Sequence, residues 1–361
     1  MEVIAKNKHF RYFESVIILS VMNLGRNLLS AIVLLSAVTG TLNAQGIHFS
    51  QAYSAHLTLS PANTGRFDGD LRAVGIFRNQ GYNMSGDYQT AYFSFEMPFY
   101  VMEERLDGGL YYSHDNTAGK AMPTERINLS LAHGLNISHR ARLHAGLQVA
   151  WVHRQIDLNK LSFPDQYNRD TGGFDPRLGT GENLEKSSTN YLDAGIGLLY
   201  SQTIPTGVFS GGYSMQQINR PVESFFGLDE KLPVKHVFHV KGDLGLTSTL
   251  FVVPAVVYMQ MGSNNTSLAG LNLGYNLNEW LNQYNSVIAG VHVRNATVSR
   301  SRGLVFSAGC NWQYWNMMLA YDTDISKSRG NSIAGSGFEI SVTYKLPSTE
   351  ITQKTIQWER Y

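Results

Sequence analysis

Residues 90–100 read TAYFSFEMPFY. In an extended chain successive side chains point to opposite faces. Ala91, Phe93, Phe95, Met97 and Phe99 therefore share one side, and Tyr92, Ser94 and Glu96 the other. The same period returns along the chain. Ile127, Leu129, Leu131, Leu135 and Ile137 oppose Asn128, Ser130, Gly134 and Asn136. Leu143, Ala145, Leu147, Val149 and Trp151 oppose His144, Gly146 and Gln148, and Phe338, Ile340, Val342, Tyr344 and Leu346 oppose Glu339, Ser341, Thr343 and Lys345. Residues 71–79 and 234–246 alternate less cleanly and are assigned as strands by length and neighbours.

Alternation alone does not separate a membrane wall from a soluble sandwich. Three features favour the membrane. The second face is rich in Gly, Ser, Asn, Gln and His, as a wet lumen requires; Tyr100, Trp151, Tyr200, Trp312, Trp315 and Tyr344 stand at strand ends like interfacial girdles; and many segments run about 9–13 residues. Short connections (101–107, 138–141, 202–205, 245–248, 277–285 and the junction at Tyr314) alternate with others that include the three longest, 156–190, 216–233 and 324–335. This rhythm predicts an all-β fold: a transmembrane outer-membrane antiparallel β-barrel of about 14 strands, with short periplasmic turns, long external loops and both barrel termini periplasmic. Closure leaves no unpaired strand edge, which lipid does not tolerate.

The ends of the chain differ from this wall. Lys6, Lys8, Arg11 and Arg26 precede an apolar run from Leu28 to Val38, too short to span a bilayer as a helix and of signal-peptide length. Residues 1–44 are expected to be a cleaved signal peptide, with Met22 an alternative start. Residues 45–70 then form a periplasmic or lumen-entering lead, 71–346 the barrel, and 347–361 a periplasmic tail. A net charge of +1 and 16% charged residues give no electrostatic footprint for nucleic acid. The single cysteine, Cys310, excludes an internal disulfide or a multi-cysteine zinc site.

Motifs set along this architecture resemble one known family. They are His48-Phe49-Ser50-Gln51, Pro61-Ala62 with Gly65 (the family's Asn-Pro-Ala-x-x-Gly turn), Arg78-Asn79-Gln80, residues 88–98 with Thr90 and Pro98, Phe163-Pro164-Asp165-Gln166, and the closing strand 338–346. Their order and spacing resemble the PorP/SprF family of type IX secretion system outer-membrane proteins of Bacteroidota, across the whole mature chain. Ser60 replaces the usual Asn before Pro61, Gly81 stands where Trp is common, and the tail lacks the Cys-Pro sequence of some members. The resemblance implies a non-enzymatic component that assists secretion or surface attachment of proteins with a C-terminal sorting domain, gliding adhesins among them, beside other secretion or gliding machinery. It singles out Phe49, Gln51, Pro61, Ala62, Gly65, Arg78, Asn79 and Gln80 as family-motif or partner-binding positions.

No motif of catalysis or cofactor binding competes with this reading. His236 and His239, three apart in a strand, face opposite sides and do not form a metal pair. His133, His139, His144 and His153 fall in one hairpin and read as lumen or interface residues. Asp68, Asp70, Asp322 and Asp324 lack the Gly and distal Glu of a calcium loop and are expected to be solvated loop carboxylates. Gly195-Ile196-Gly197 sits inside a strand pattern with no helix after it, which excludes a dinucleotide fingerprint, and no G-x-S-x-G elbow occurs. Two alternatives share the alternation: a porin-like or ligand-specific transport channel, and a lipid-modifying barrel enzyme. No cofactor or metal is expected.

Overall fold

The computed structural model describes residues 48–80, 88–102, 104–117, 119–181, 186–225, 231–277, 285–297, 301–325 and 336–348. The expected signal peptide, its cleavage after Ala44 and residues 349–361 of the tail lie outside them. Fourteen strands close into one antiparallel barrel. In chain order they are β1 (Leu71–Gln80), β2 (Tyr88–Val101), β3 (Glu104–Thr117), β4 (Met122–Ser138), β5 (Ala141–Gln155), β8 (Ser188–Ile204), β9 (Gly207–Gln216), β10 (Lys235–Gly245), β11 (Leu250–Met261), β12 (Asn264–Asn276), β13 (Ser286–Ala296), β14 (Ser301–Trp312), β15 (Trp315–Asp324) and β16 (Gly337–Leu346). Each pairs with its neighbours in this order, and β1 closes on β16 from Leu71↔Leu346 to Gln80↔Gly337. The remaining strands, β6 (Tyr167–Asn168) and β7 (Gly173–Phe174), pair only with each other in the long connection after β5.

The period-two reading decides which side chains leave water. Leu129, Leu147, Val149, Leu198 and Phe93 are exposed on the outer wall, whereas Ser94, Glu96, Asn128, Gln148 and Ser214 are buried inside. This inversion of the soluble rule is what a lipid-facing wall demands. Tyr100, Tyr200, Trp312 and Trp315 are exposed near the end of the barrel that carries the tight turns, here the turn end; the rings of Trp315 and Tyr344 lie 4.6 Å apart across neighbouring strands.

The strands are longer than the sequence rhythm suggested in one sector. β4 and β8 have 17 residues and β5 has 15. Their added residues at the opposite, loop end carry polar pairs such as His153 Nδ1 to Asn190 Oδ1 at 2.6 Å, which suit a rim above the hydrocarbon. The first turn is tighter than expected, because β3 starts at Glu104 and takes up the residues to Asp107.

The two untidy strands have a physical cause. Val74 and Ile76 on β1 and Val237 on β10 point inward and are buried, yet they are apolar. They meet residues 48–70, which lie inside the barrel. Phe49, Ala55 and Leu57 pack on Val74, Ile76, Tyr92 and Tyr111. Ala52 and Leu59 pack on Val237, Val257, Leu268, Val305 and Ala320. The barrel thus encloses a hydrophobic core made by its own lead, and burial of each large side chain there stabilises by about 1.5–3 kcal/mol.

A charge placed on the outer wall tests the assignment. Leu147 is 60% exposed on β5, and Leu147→Arg is expected to cost about 2–4 kcal/mol in lipid vesicles, against little for Leu147→Ile. Urea unfolding followed by tryptophan fluorescence measures it; equal stability of the two variants would mean that this face does not meet lipid.

Candidate functional site

The lead crosses the barrel from its loop end to its turn end. At the start Ser50 Oγ lies 3.3 Å from Asp322 Oδ2, near the end of β15. At the finish Asp70 N–H donates to Leu346 O at 2.9 Å beside the last pair of the closing seam. Between them come a single helical turn, α1 (His56–Leu59), and a 3-10 turn over Pro61–Asn63. Ser60 caps the second: its hydroxyl accepts from Ala62 N–H at 3.2 Å, a capping role that Ser fills as well as Asn does. Pro61 at the first position gives up only an N–H that has no partner in such a turn.

Two buried carboxylates hold the lead, one at each end. Glu96 of β2 is fully buried. Its Oε1 accepts from Arg72 Nε at 2.9 Å and lies 2.5 Å from His56 Nε2, while Oε2 accepts from Arg72 Nη2 at 3.0 Å and from Gly65 N–H at 2.9 Å. Glu339 of β16, 1% exposed, accepts from the N–H groups of Ser50 and Gln51, both at 2.8 Å, and from Arg78 Nη1 at 3.1 Å. The two arginines are successive inward charges of β1. Arg72 stands directly opposite Glu96 in the β1–β2 register, and Arg78 directly opposite Glu339 in the β1–β16 register. A third buried carboxylate, Asp322, takes Arg78 Nη2 at 3.3 Å and a two-pronged pair from Arg294, Nε at 2.9 Å and Nη2 at 3.1 Å.

Two glycines allow the close approach. Gly65 has φ +67° and its N–H faces Glu96; a Cβ there would sit 2.1 Å from Cβ of Asp107. Gly146, on the inner face of β5, lies under the 3-10 turn, and a Cβ on it would come 2.4 Å from the carbonyl carbon of Pro61. At Gly146 backbone packs on backbone, and at Gly65 a positive φ meets the Asp107 side chain; glycine permits both.

The structure brings most of the motif residues of the sequence reading into this assembly. Phe49 is buried with its ring edge-on to Tyr92 at 5.6 Å. Gln51 donates from Nε2 to Glu339 O at 3.3 Å and accepts from Ser341 Oγ at 2.5 Å. Pro61 and Ala62 are buried in the 3-10 turn, and Gly65 O accepts from Arg105 Nη2 at 3.1 Å. Arg78 also donates from Nη2 to Gln80 Oε1 at 3.0 Å. Asn79 alternates with these two and faces the other side of β1. The Phe163-Pro164-Asp165-Gln166 motif lies apart, in the long connection. There Gln166 is buried, accepts from Phe163 N–H at 3.1 Å and donates to Leu178 O at 3.3 Å, so it clasps the loop on itself.

Two carboxylate expectations are corrected. Asp322 is not a solvated loop residue: it lies within β15, 1% exposed, because the strand register turns it toward Arg294 and Arg78. Asp324 is no loop residue either: it is the last residue of β15, half-buried, and accepts from Ser301 Oγ at 3.3 Å. Glu96, Glu339, Arg72 and Arg294 were not singled out from sequence. Their signal is a charged residue at an inward position between apolar outward neighbours, as in Phe95-Glu96-Met97 and Phe338-Glu339-Ile340. His236 stacks on Tyr213 with ring centroids 6.1 Å apart, while His239 is buried. His133 bonds Arg105 O through Nδ1 at 2.9 Å, and His153 stacks on Trp151 at 5.7 Å near the loop end. Among the described residues no group of three or more His, Cys, Asp or Glu is placed to hold a metal.

The model of the PorP/SprF family, described as "Type IX secretion system membrane protein PorP/SprF", matches residues 41–344. No curated protein matches the chain. Among solved structures, the Pseudomonas putida toluene transporter TodX is similar at 12% identity over 85% of this chain and 95% of that one, with a TM-score of 0.45. The CymD monoaromatic hydrocarbon channel is similar at 12% identity over 84% and 95%, with a TM-score of 0.46. BamA from Haemophilus ducreyi, lacking POTRA domains 1–3, is similar at 12% identity over 77% and 70%, with a TM-score of 0.41.

Two outcomes follow from the anchors. Glu96→Gln leaves the Arg72 guanidinium buried without its counter-charge, and is expected to weaken docking of the lead by about 3–5 kcal/mol. Hydrogen exchange of amides 56–66 reads this; the double variant Arg72→Met with Glu96→Leu should lose less than Glu96→Gln alone, and unchanged exchange in Glu96→Gln would remove this pair as the anchor. His48 gives a pH dependence. Its Nε2 is enclosed and without a hydrogen-bond partner. Burial, then the charges of Arg78 and Arg294, with a smaller push from Lys235, lower its pKa from 6.5 to about 3, against the opposing pull of Asp322. An undocked lead takes up this proton below about pH 6.5 and a docked one does not, so docking weakens as pH falls from about 6.5 toward 3. Protection of amides 56–66, corrected for the intrinsic exchange rate, should fall more between pH 7.5 and pH 5 in the native chain than in His48→Gln; equal falls would assign the effect to other groups.

Proposed function

The chain belongs to the PorP/SprF family of type IX secretion system membrane proteins, and from that membership we propose that it is a non-enzymatic barrel that docks specific exported proteins at its loop end. Barrel and family both point to the outer membrane. On this reading the turn end faces the periplasm and the loop end the outside. The cargo is a surface protein with a C-terminal sorting domain, delivered by other components of the secretion or gliding machinery and retained by this one.

The observation that carries the reading is the occupied lumen. A transport channel works through its bore, yet here the lead lies in the bore and is tied at both ends by buried Arg–Glu pairs. What remains for a large partner is the rim. Three long connections, 156–187, 217–234 and 325–336, join strands whose neighbouring ends lie at the loop end. The first is partly shaped by its β6–β7 hairpin, where Tyr167 and Phe174 expose an edge-on ring pair 5.5 Å apart. Exposed aromatic side chains are the residue type that protein interfaces favour.

Deletion of the gene should leave one or a few surface proteins unsecreted or unattached. Replacing residues 158–185 by a short Gly/Ser linker should leave the barrel assembled and lose the same proteins. A deletion strain with an unchanged cell-surface proteome would overturn the proposal, and loss of small-solute permeability with an intact surface proteome would favour a channel.

A further inference from the structure

One strand edge of the barrel stands open at the loop end. β8 outruns β9: the pair nearest that end is Gly195↔Gln216, so residues 188–194 rise beyond their neighbour, while on the other side they stay paired to β5 up to Gln155↔Ser188. In an antiparallel strand alternate residues turn both backbone groups to the same neighbour. Ile156 N–H donates to Ser187 O at 2.9 Å on the β5 side, and Ile218 N–H to Ala194 O at 3.0 Å on the other. Ser188, Asn190 and Leu192 therefore face the side that β9 has left.

The chain that leaves β9 does not cover them. Gln217 has φ +59° and Arg220 φ +45°, left-handed values uncommon outside glycine, and Gln217 N–H is taken by Asp193 Oδ1 at 2.8 Å. Asn219 stands in for a strand residue: its Oδ1 accepts from Ala194 N–H at 3.0 Å and its Nδ2 donates to Leu192 O at 2.7 Å. The chain then crosses the inner face, where Glu223 binds Arg154 and accepts from the Tyr191 hydroxyl at 3.0 Å. It returns to the edge at Phe225, whose O accepts from Lys186 N–H at 3.3 Å. Among the described residues nothing bonds Leu192 N–H or either backbone group of Ser188 and Asn190. Such a row of strand groups is a template for another strand.

We propose that the edge 188–192 takes up an extended segment of the exported partner as an added strand. The inference rests on the reading of the loop end as a docking rim. The free groups are backbone donors and acceptors in strand order, and another extended backbone is what complements them. Since Glu223 occupies the inner face, selection among segments falls to the outer one. There Leu192 is 59% exposed opposite Trp151, and Asn190 stands opposite His153. The segment that fits carries an apolar side chain against Leu192 and, two residues away, a polar one against Asn190.

The probe is a fluorescein-labelled peptide, Thr-Thr-Thr-Val-Thr with blocked ends, read by anisotropy on the full chain in phosphatidylcholine nanodiscs. Methylating the amides of its second and fourth residues, which would face β8, should weaken binding by at least about tenfold, the scale of two hydrogen bonds. Methylating the third and fifth should leave it unchanged. Asn190→Pro removes an edge N–H that β5 does not use, so the barrel should assemble and bind the peptide about tenfold more weakly, whereas Asn190→Ala should bind normally. No binding, or equal loss with both methylation patterns, overturns the proposal without reliance on any variant. Binding that appears only when residues 226–230 are deleted overturns it too, since the edge would then belong to the chain's own connection, and dimers dissolved by Asn190→Pro would assign it to a second copy. In cells, Asn190→Pro should lose the same surface proteins as the deletion strain. Loss in the deletion strain alone overturns the added strand and keeps the docking rim; an unchanged deletion strain overturns the rim, and the peptide alone then judges the edge.

Discussion

Strand β1 faces the lumen with two arginines, and each stands directly opposite a glutamate on a different neighbour. Arg72 meets Glu96 on β2 and Arg78 meets Glu339 on β16, all four nearly fully buried. Charges taken this far from water are tolerated only when paired and further hydrogen-bonded, because desolvation otherwise exceeds the attraction. The lead supplies the missing partners: its N–H groups at Ser50, Gln51 and Gly65 fill the glutamate oxygens that the arginines leave open. Wall and lead are therefore each incomplete without the other.

That interdependence gives the bore two kinds of surface. Where the lead lies against it the wall is apolar, with Val74, Ile76, Val237 and Val257 buried. Elsewhere it is hydroxyl and amide, as Ser94, Asn128 and Gln148 illustrate. The cluster of Phe251, Val253, Ile288 and Met318 is apolar and buried although it contains no residue of the lead. An occupied bore also shifts attention to the rim, where paired strands end and the long connections begin.

Much of the wall was legible because lipid enforces a strict period of two. Each of residues 91–99 falls on the side that alternation assigns, and the count of fourteen and the alternation of tight and long connections follow from the same rhythm. Legibility failed where a third body entered. Residues 71–79 and 234–246 looked irregular because period two assumes a wet lumen, and the lead makes it dry at Val74, Ile76 and Val237. Asp322 looked like a loop carboxylate because its partner Arg294 is 28 positions away in sequence and meets it across β14, over the bare backbone of Gly303. The family motifs marked Phe49, Gln51, Pro61 and Gly65, but nothing local in them shows that a carboxylate on a distant strand receives their backbone.

The seam between β1 and β16 has a bearing on how such a molecule is built. The strand on which β16 closes the cylinder, β1, is the strand to which the lead is joined, and the lead's first described residues lie at the far end of the bore from that junction. Threading the lead into a finished cylinder would drag its polar backbone past an inner wall whose glutamates still lack the N–H donors of the lead. Wrapping the wall around a lead already laid along β1 avoids that barrier, since Arg72 and Arg78 can gather their ligands as β2 and then β16 arrive. Strand β16 thus acts as the latch on the segment that precedes β1, since Glu339 holds Ser50 and Gln51 while Leu346 O holds Asp70.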